Sequence, residues 1–266
     1  MDYTNCCDFS GHYERSSLAA MKALELDVLG CDYGGTSWTT SKQAGHIMSS
    51  LALDPQSHLL EIGCGSGWPG LYLSTTSGCA ITLLDMPLIA LRQAAERAAT
   101  DSIRERVNLV NGSGTALPFV DASFERLSHS DVLCCLPEKL EMLDECRRVA
   151  TDGALMHFAV IMPAADLAPA DHERVIETGP PFIGTPDSYD SLLAKSGWKI
   201  TDRIDVTSDY ADSVEQLAIG LRKNTPELQE VFGVEELRTA WHHREDQVSV
   251  TRAGLMQRIV YVASAV

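Results

Sequence analysis

Apolar residues recur along this chain with two different periods. Thr40-Ser41-Lys42-Gln43 is a capping-box pattern, and behind it Ala44, Ile47, Met48 and Leu51 fall at i, i+3, i+4 and i+7. That spacing predicts one buried helix face, which Asp54-Pro55 ends. Residues 58–62 form a short apolar run, read as a buried strand leading into Gly63-Cys64-Gly65-Ser66-Gly67, with a helix expected through Thr76. Residues 79–84 make a second buried strand ending at Asp85, and Pro87 opens a helix whose inner face is read as Leu88, Leu91, Ala94, Ala95 and Ala98. Strands follow at 107–110 and 124–128. A helix is expected at 138–150, with Leu140, Leu143 and Val149 inward, and a fifth strand at 154–161.

Strands alternating with helices of this length predict an α/β fold around a parallel sheet, and right-handed crossovers place helices on both faces. After Pro163 the texture changes. Residues 163–187 are rich in Pro, Asp and Gly, with a short helix near 171–177. A helix at 189–195, a strand at 198–204, a largely helical stretch at 211–251 and a final strand at 257–263 complete the pattern. One domain over 1–266 is expected. Within it, 1–39 is an N-terminal lid, 40–162 a cofactor-binding core, 163–187 and 205–251 substrate-cap insertions, and 252–266 the last strand.

Composition narrows the function. The 266 residues are 45% apolar with a formal net charge of −16. Such acidity repels phosphate backbones and anionic bilayers, so neither nucleic acid nor membrane is an expected partner. No apolar run is long enough to span a bilayer, and the start Met1-Asp2-Tyr3-Thr4-Asn5 lacks the pattern of a signal peptide. Eight cysteines include two adjacent pairs, Cys6-Cys7 and Cys134-Cys135, and no C-x-x-C. Free thiols in the cytoplasm are expected, and no metal site.

The strongest local signal is Leu59-Leu60-Glu61-Ile62-Gly63-Cys64-Gly65-Ser66-Gly67. Glycines directly after a strand allow a tight turn and close approach to a ligand, and the following helix points its N–H groups at that ligand. Two ligand classes share this plan. Gly65-Ser66-Gly67-Trp68-Pro69-Gly70 spells G-x-G-x-x-G, with Asp85 about 20 residues on, as in a dinucleotide site. The first glycine after the strand is Gly63, however, and from there the third glycine is missing. Glu61 also has no task in a dinucleotide site.

The stretch resembles the first motif of class I S-adenosylmethionine-dependent methyltransferases. The similarity runs on from about Tyr33 to Met162, through Asn111-Gly112-Ser113-Gly114-Thr115-Ala116-Leu117-Pro118-Phe119, through Ser128-His129-Ser130-Asp131 and through Arg147-Arg148-Val149-Ala150-Thr151-Asp152-Gly153. The resemblance implies a Rossmann-like sheet of seven mostly parallel strands, its last strand antiparallel and inserted between the fifth and sixth, with helical cap elements. It implies S-adenosylmethionine as cofactor. The cofactor's methionine end would lie at Glu61, Gly63, Cys64, Gly65, Gly67 and the backbone at His129 and Ser130, its ribose at Asp85, and its adenine at Met86, Ser113 and Gly114. Ser113 stands where the family carries an acid, and Cys134-Cys135 where relatives often carry a His-His or Glu-His pair.

Methyl transfer from a sulfonium needs alignment and exclusion of water more than it needs a strong base. Tyr33 and Trp38 are read as aromatic walls beside the methyl group, Gly34-Gly35 as a hinge of the lid, and Tyr33 and His243 as candidate catalytic residues. His242-His243 is a poor metal pair, since neighbours on a helix diverge by about 100°. His157 reads as a satisfied core residue, and His12 and His172 carry no signal. The tetrad at the end of strand four, Ser128-His129-Ser130-Asp131, does not fit amine methylation of DNA or glutamine. A small-molecule acceptor is expected, with Phe182, Ile183, Tyr189, Tyr210, Phe232 and Trp241 suggesting an apolar or aromatic one. A nicotinamide-dependent oxidoreductase and a non-catalytic adenosyl-binding protein are the alternatives, and oligomeric state is not read from the sequence.

Overall fold

The computed structural model describes residues 9–34, 37–223 and 225–266. Seven strands form one sheet: β1 His58–Ile62, β2 Ala80–Asp85, β3 Val107–Asn111, β4 Phe124–Ser130, β5 Ala150–Pro163, β6 Trp198–Asp205 and β7 Met256–Ala265. Their spatial order is β3-β2-β1-β4-β5-β7-β6. The strands from β1 to β5 pair in parallel, and β7 runs antiparallel between β5 and β6. The insertion of the last strand is as the resemblance implies. Among the described residues after 163, no second mononucleotide-binding half, which a dinucleotide site would use, is built.

Two strands are longer than hydropathy suggests. β4 continues to Ser130 and β5 begins at Ala150, because Ser130 still pairs with Ala159 and Ala150 with Phe124. Those extra residues include His129, Asp152 and Gly153. A ladder joins backbones whatever the side chain, so polar strand ends escape an apolar-run criterion.

Four helices pack the core of the sheet: α3 Ser41–Ser50, α4 Gly70–Ser77, α5 Leu88–Thr100 and α6 Lys139–Val149. The Thr40/Gln43 capping box closes the start of α3. Alternate strand residues feed the two faces. Leu59, Ile81 and Leu83 meet Ala44, Ile47, Leu51, Ala94 and Ala98 on one side. Leu60, Ile62, Leu84 and Leu127 meet Leu143, Cys146 and Val149 on the other. Leu88, read as an inward residue, is 55% exposed; the buried stripe of α5 begins two residues later, at Ala90.

The two ends of the chain form a shared cap. The N-terminal helices α1 Ser10–Ser16 and α2 Ala19–Leu29 lie beside α9 Thr207–Arg222, α10 Pro226–Phe232 and α11 Val234–Arg252. Leu24 of α2 joins Leu221, Leu228 and Leu237 in a separate small core. The insertion after β5 supplies α7 Pro169–Thr178 and α8 Tyr189–Lys195. Lys139, buried at the start of α6, donates to the carbonyls of Leu136 and Phe182, and the Phe182 N–H donates to Cys134 O. These bonds seat the 179–183 turn against the end of β4.

Two buried histidines set the acid stability of the core. His129 stacks on Phe158 at 4.6 Å, and His157 lies 5.7 Å from His46. The ring nitrogens of His129 and His157 have no partner among the described residues, so His157 is buried but not the satisfied residue the sequence suggested. Burial holds both rings down at about 3, reinforced for His157 by His46 and Arg258 and for His129 by His157. Unfolded histidine titrates near 6.5, so the unfolded chain gains protons first as pH falls. Stability should be fully present above pH 6.5 and fall by about 2–3 kcal/mol per pH unit below about pH 6, two protons being taken up together. Urea midpoints at pH 7, 6 and 5 measure this; midpoints unchanged down to pH 5 would show that the rings do not stay neutral in the fold.

Candidate active site

The floor of the site is the C-terminal edge of β1 and β2, where an open α/β sheet offers a crevice. Gly65 has φ +54°, and a Cβ there would stand 2.8 Å from the Tyr13 hydroxyl oxygen, so a side chain would face both strain and a close neighbour. The turn is held by Asp85, whose Oδ2 accepts from the Gly65 N–H at 2.6 Å and whose Oδ1 accepts from the Met86 N–H at 2.7 Å. Burial raises the Asp85 carboxyl above its ordinary value, against those two bonds.

Glu61 sits beneath the loop, 2% exposed. Its Oε2 has no hydrogen-bond partner among the described residues and stands 1.9 Å from where a Cβ on Gly70 would be, so only glycine fits at the start of α4. Burial pushes the Glu61 carboxyl up to about 8; the nearby Gly70 N–H offsets part of this, and the negative charge of Asp85 adds to it. A buried acid without its own cation, set under a glycine turn, is a place prepared for a ligand's positive group.

Above this floor a cavity of about 660 Å³ opens under the cap. This lies within the size range of sites that enclose small ligands. Of the residues singled out from the sequence, Trp38, Glu61, Gly63, Cys64, Gly65, Asp85, Ser130 and His243 line it. The cap contributes through one face of α11: Glu236, Thr239, Ala240, His243, Arg244 and Gln247, at i, i+3, i+4, i+7, i+8 and i+11. His243 is held below its ordinary value by burial and by Arg244. His242 points elsewhere and bonds Glu245 at 3.1 Å.

Other candidates lie apart from this cavity. Tyr33 packs against Trp68, with ring centroids 5.2 Å apart, and lies under the Arg97 guanidinium at 4.2 Å. Its ring is part of the core face beside α5 and not a wall of the cavity. Gly67, Met86, Ser113, Gly114 and His129 are likewise not among the lining residues. Met86 is 64% exposed at the end of β2, and the Ser113 Oγ bonds Thr115 at 2.8 Å in the turn after β3. Among the six apolar residues expected to line an acceptor pocket, only Phe232 does; Ile183, Tyr189 and Tyr210 are core, and Trp241 packs in the small cap core. Gly35 and the Cys6-Cys7 pair lie outside the described residues. Gly34 is held by its N–H to Glu25 Oε2.

The sequence reading missed four positions. Tyr13, 5% exposed, brings its hydroxyl to the glycine loop, and α1 is tied down by Gln93 Nε2 donating to Tyr13 O at 3.0 Å. His12, set aside as uninformative, lines the cavity and is held down to about 4 by burial, Arg244 and Arg15. Asp131 stands at the cavity edge, gripped by Arg258 of β7 at 2.9 Å. Arg244 stands over Trp38 at 5.3 Å. No local pattern marks these residues, which only the fold brings together.

A doubly wound sheet with a glycine turn, an acid at the tip of β2 and a capped cavity is an arrangement suited to an adenosyl cofactor beside a small molecule. The comparisons agree. The methyltransferase-domain family matches residues 60–158. The (+)-O-methylkolavelool synthase of Herpetosiphon aurantiacus is 25% identical over 72% of this chain and 68% of its own length. The 27-O-demethylrifamycin SV methyltransferase of Amycolatopsis mediterranei is 27% identical over 63% of each chain. The two matches thus span about two thirds of these relatives' lengths. A candidate sarcosine dimethylglycine methyltransferase from Galdieria sulphuraria superposes with a TM-score of 0.78 at 19% identity, covering 85% of both chains. The protein is an S-adenosylmethionine-dependent methyltransferase, its methyltransferase domain matched over residues 60–158, and S-adenosylmethionine is its cofactor. No helix among the described residues is long and apolar enough to cross a membrane.

Proposed function

We propose that this enzyme methylates a small acceptor of largely apolar skeleton by in-line displacement, with both ligands enclosed in the cavity between the glycine loop and the cap. The observation that carries this reading is the continuity of that cavity, from Glu61 and Asp85 to Leu24, Leu221 and Phe232 of the cap. The residues fit the cofactor: Glu61 has an unpartnered carboxylate oxygen for its ammonium group, Asp85 a carboxylate for its ribose hydroxyls, and Gly63 and Gly65 a close backbone approach. When bound, the cofactor supplies an activated methyl group. The chain aligns the acceptor and keeps water out. Residues 9–34 and Trp38 form a lid over the loop, with Tyr13 at the place first given to Tyr33. His243 is neutral at pH 7 and available to take a proton from an acceptor hydroxyl or amine.

The names of two relatives, an O-methylkolavelool synthase and a 27-O-demethylrifamycin SV methyltransferase, favour a natural-product acceptor, and the enclosed pocket limits its size. The acidic chain favours an enzyme without nucleic-acid partners, and the free cysteines among the described residues favour the cytoplasm. Calorimetry with S-adenosylmethionine, S-adenosylhomocysteine and NAD, followed by methyl transfer from labelled cofactor into a metabolite extract, tests the reading. Binding of NAD alone, or cofactor binding with no label transferred to any metabolite, would sink it.

Glu61 gives the binding step a pH dependence. Its carboxyl is protonated below about pH 8 in the free protein. An ammonium beside it favours the charged form, so cofactor binding releases a proton. Affinity for S-adenosylhomocysteine should therefore rise with pH from 6 to 8, by up to about tenfold per unit, and level off above. In Glu61→Gln the affinity should be lower and this slope absent. A slope that persists in the variant belongs to the ligand and would remove Glu61 from the linkage.

A further inference from the structure

The charged groups that line the cavity either have partners or belong to the cofactor floor, with one exception. Asp131 is bound to Arg258 at 2.9 Å. Glu236 faces Arg15 at 3.6 Å. Glu25 accepts from the Gly34 N–H and from the Cys31 thiol. Glu61 and Asp85 belong to the cofactor floor. Arg244 has no carboxylate partner among the described residues.

Its surroundings show what it is set up to do. Its Nη1 donates to Gln247 Oε1 at 2.7 Å, and Gln247 Nε2 donates to the Tyr210 hydroxyl at 2.8 Å. Its guanidinium carbon lies 5.3 Å from the Trp38 ring centroid. Guanidinium carries five donors, and one is used. Burial opposes its charge strongly enough to lower the pKa. The titratable groups nearest it, His12 and His243, are both held below their ordinary values, and Tyr210 stays neutral, so none supplies a negative charge. A stacked, partly buried arginine with free donors, held by Gln247, is a fork for a carboxylate or phosphate. Across the cavity the wall is apolar: Met21, Leu24, Val28, Leu217, Leu221 and Phe232.

We infer that Arg244 docks an anionic head group of the acceptor, a carboxylate or a phosphate, while the apolar body lies against α2 and α9. The inference rests on the small-molecule methyltransferase reading and narrows it to amphipathic organic anions. In a chain of net charge −16 such a site must be local, since the overall field repels anions. Gln247 orients the guanidinium, and Trp38 covers its face.

The test uses three probes of one chain length on the full protein saturated with S-adenosylhomocysteine: octanoate, octyl phosphate and octan-1-ol, each titrated by calorimetry against wild type, Arg244→Met and Arg244→Lys. At least one of the two anions should bind wild type about tenfold or more tighter than the alcohol, the amount a charge-assisted hydrogen bond supplies. Which anion wins separates a carboxylate site from a phosphate site. In Arg244→Met that preference should vanish while the affinities for octanol and S-adenosylhomocysteine hold; in Arg244→Lys part of it should remain. Equal affinities of wild type for anions and alcohol, including no binding of any, overturn the inference without needing a folded variant. So does an Arg244→Met protein that loses octanol and S-adenosylhomocysteine as well, since the arginine is then only a wall. Failure of S-adenosylhomocysteine to bind wild type would instead strike the methyltransferase reading, and the probe titrations can still be compared without it.

Discussion

Arg258→Met should lower folding stability by about 3–5 kcal/mol, the usual result of stripping one partner from a buried ion pair. Arg258 is 0% exposed and spends its guanidinium on three residues. It grips Asp131 with Nε at 3.0 Å and Nη2 at 2.9 Å, donates from Nη1 to Gln43 Oε1 at 2.9 Å, and from Nη2 to Thr39 Oγ1 at 3.2 Å. It thus ties β7 to the tip of β4 and to the capping box of α3. Methionine fills much of the volume but leaves the Asp131 side chain, 10% exposed, without its cation. Urea unfolding at pH 7 measures the loss. Adding Asp131→Asn to the variant should recover part of it, because the uncompensated charge is removed. A loss under about 1 kcal/mol would mean that water reaches Asp131 and replaces the arginine.

Asp85→Ala should weaken S-adenosylhomocysteine binding by about tenfold to a hundredfold. Two charge-assisted hydrogen bonds to ribose hydroxyls are lost, each worth about 1.5–3 kcal/mol, less what water returns. Asp85 also holds the glycine loop through Gly65 and Met86, so the loop loses an anchor. In Asp85→Asn the amide oxygen can keep one loop bond while the NH2 faces the other N–H, so this variant should fall between wild type and Asp85→Ala in affinity and in melting temperature. Calorimetry gives the affinities; unchanged binding in Asp85→Ala would take the residue out of the cofactor site.

Much of this enzyme was legible before any coordinates. Strand and helix periods depend on neighbours within a turn or two, and a residue's partners at that range are its sequence neighbours. Hence the capping box at Thr40, the buried runs of β1 and β2 and the stripe of α6 are found where the pattern puts them. The glycine loop with Asp85 behind it was legible for the same reason. Its tight turn follows at once on an apolar strand, and the acid ends the next one.

Trp38 lines the cavity, whereas Tyr33 does not, because its partners lie far off in sequence. Tyr33 and Tyr13 are both tyrosines in a polar N-terminal stretch. Only the packing of Arg97 and Trp68 draws Tyr33 into the core, and only the seat of α1 on α5 carries Tyr13 to the loop.

What the sequence determined by itself, then, is the alternation of strands and helices, the glycine turn and the acid at its side, because these follow from backbone sterics and from burial repeated at short range. The tertiary structure alone decided which charges meet. Asp131 and Arg258 are 127 residues apart and Trp38 and Arg244 farther still, yet each pair is joined in space. A charge in the sequence looks like any other solvated charge. It becomes a clamp or a docking point only when the fold removes its water and leaves it with one partner, or with none.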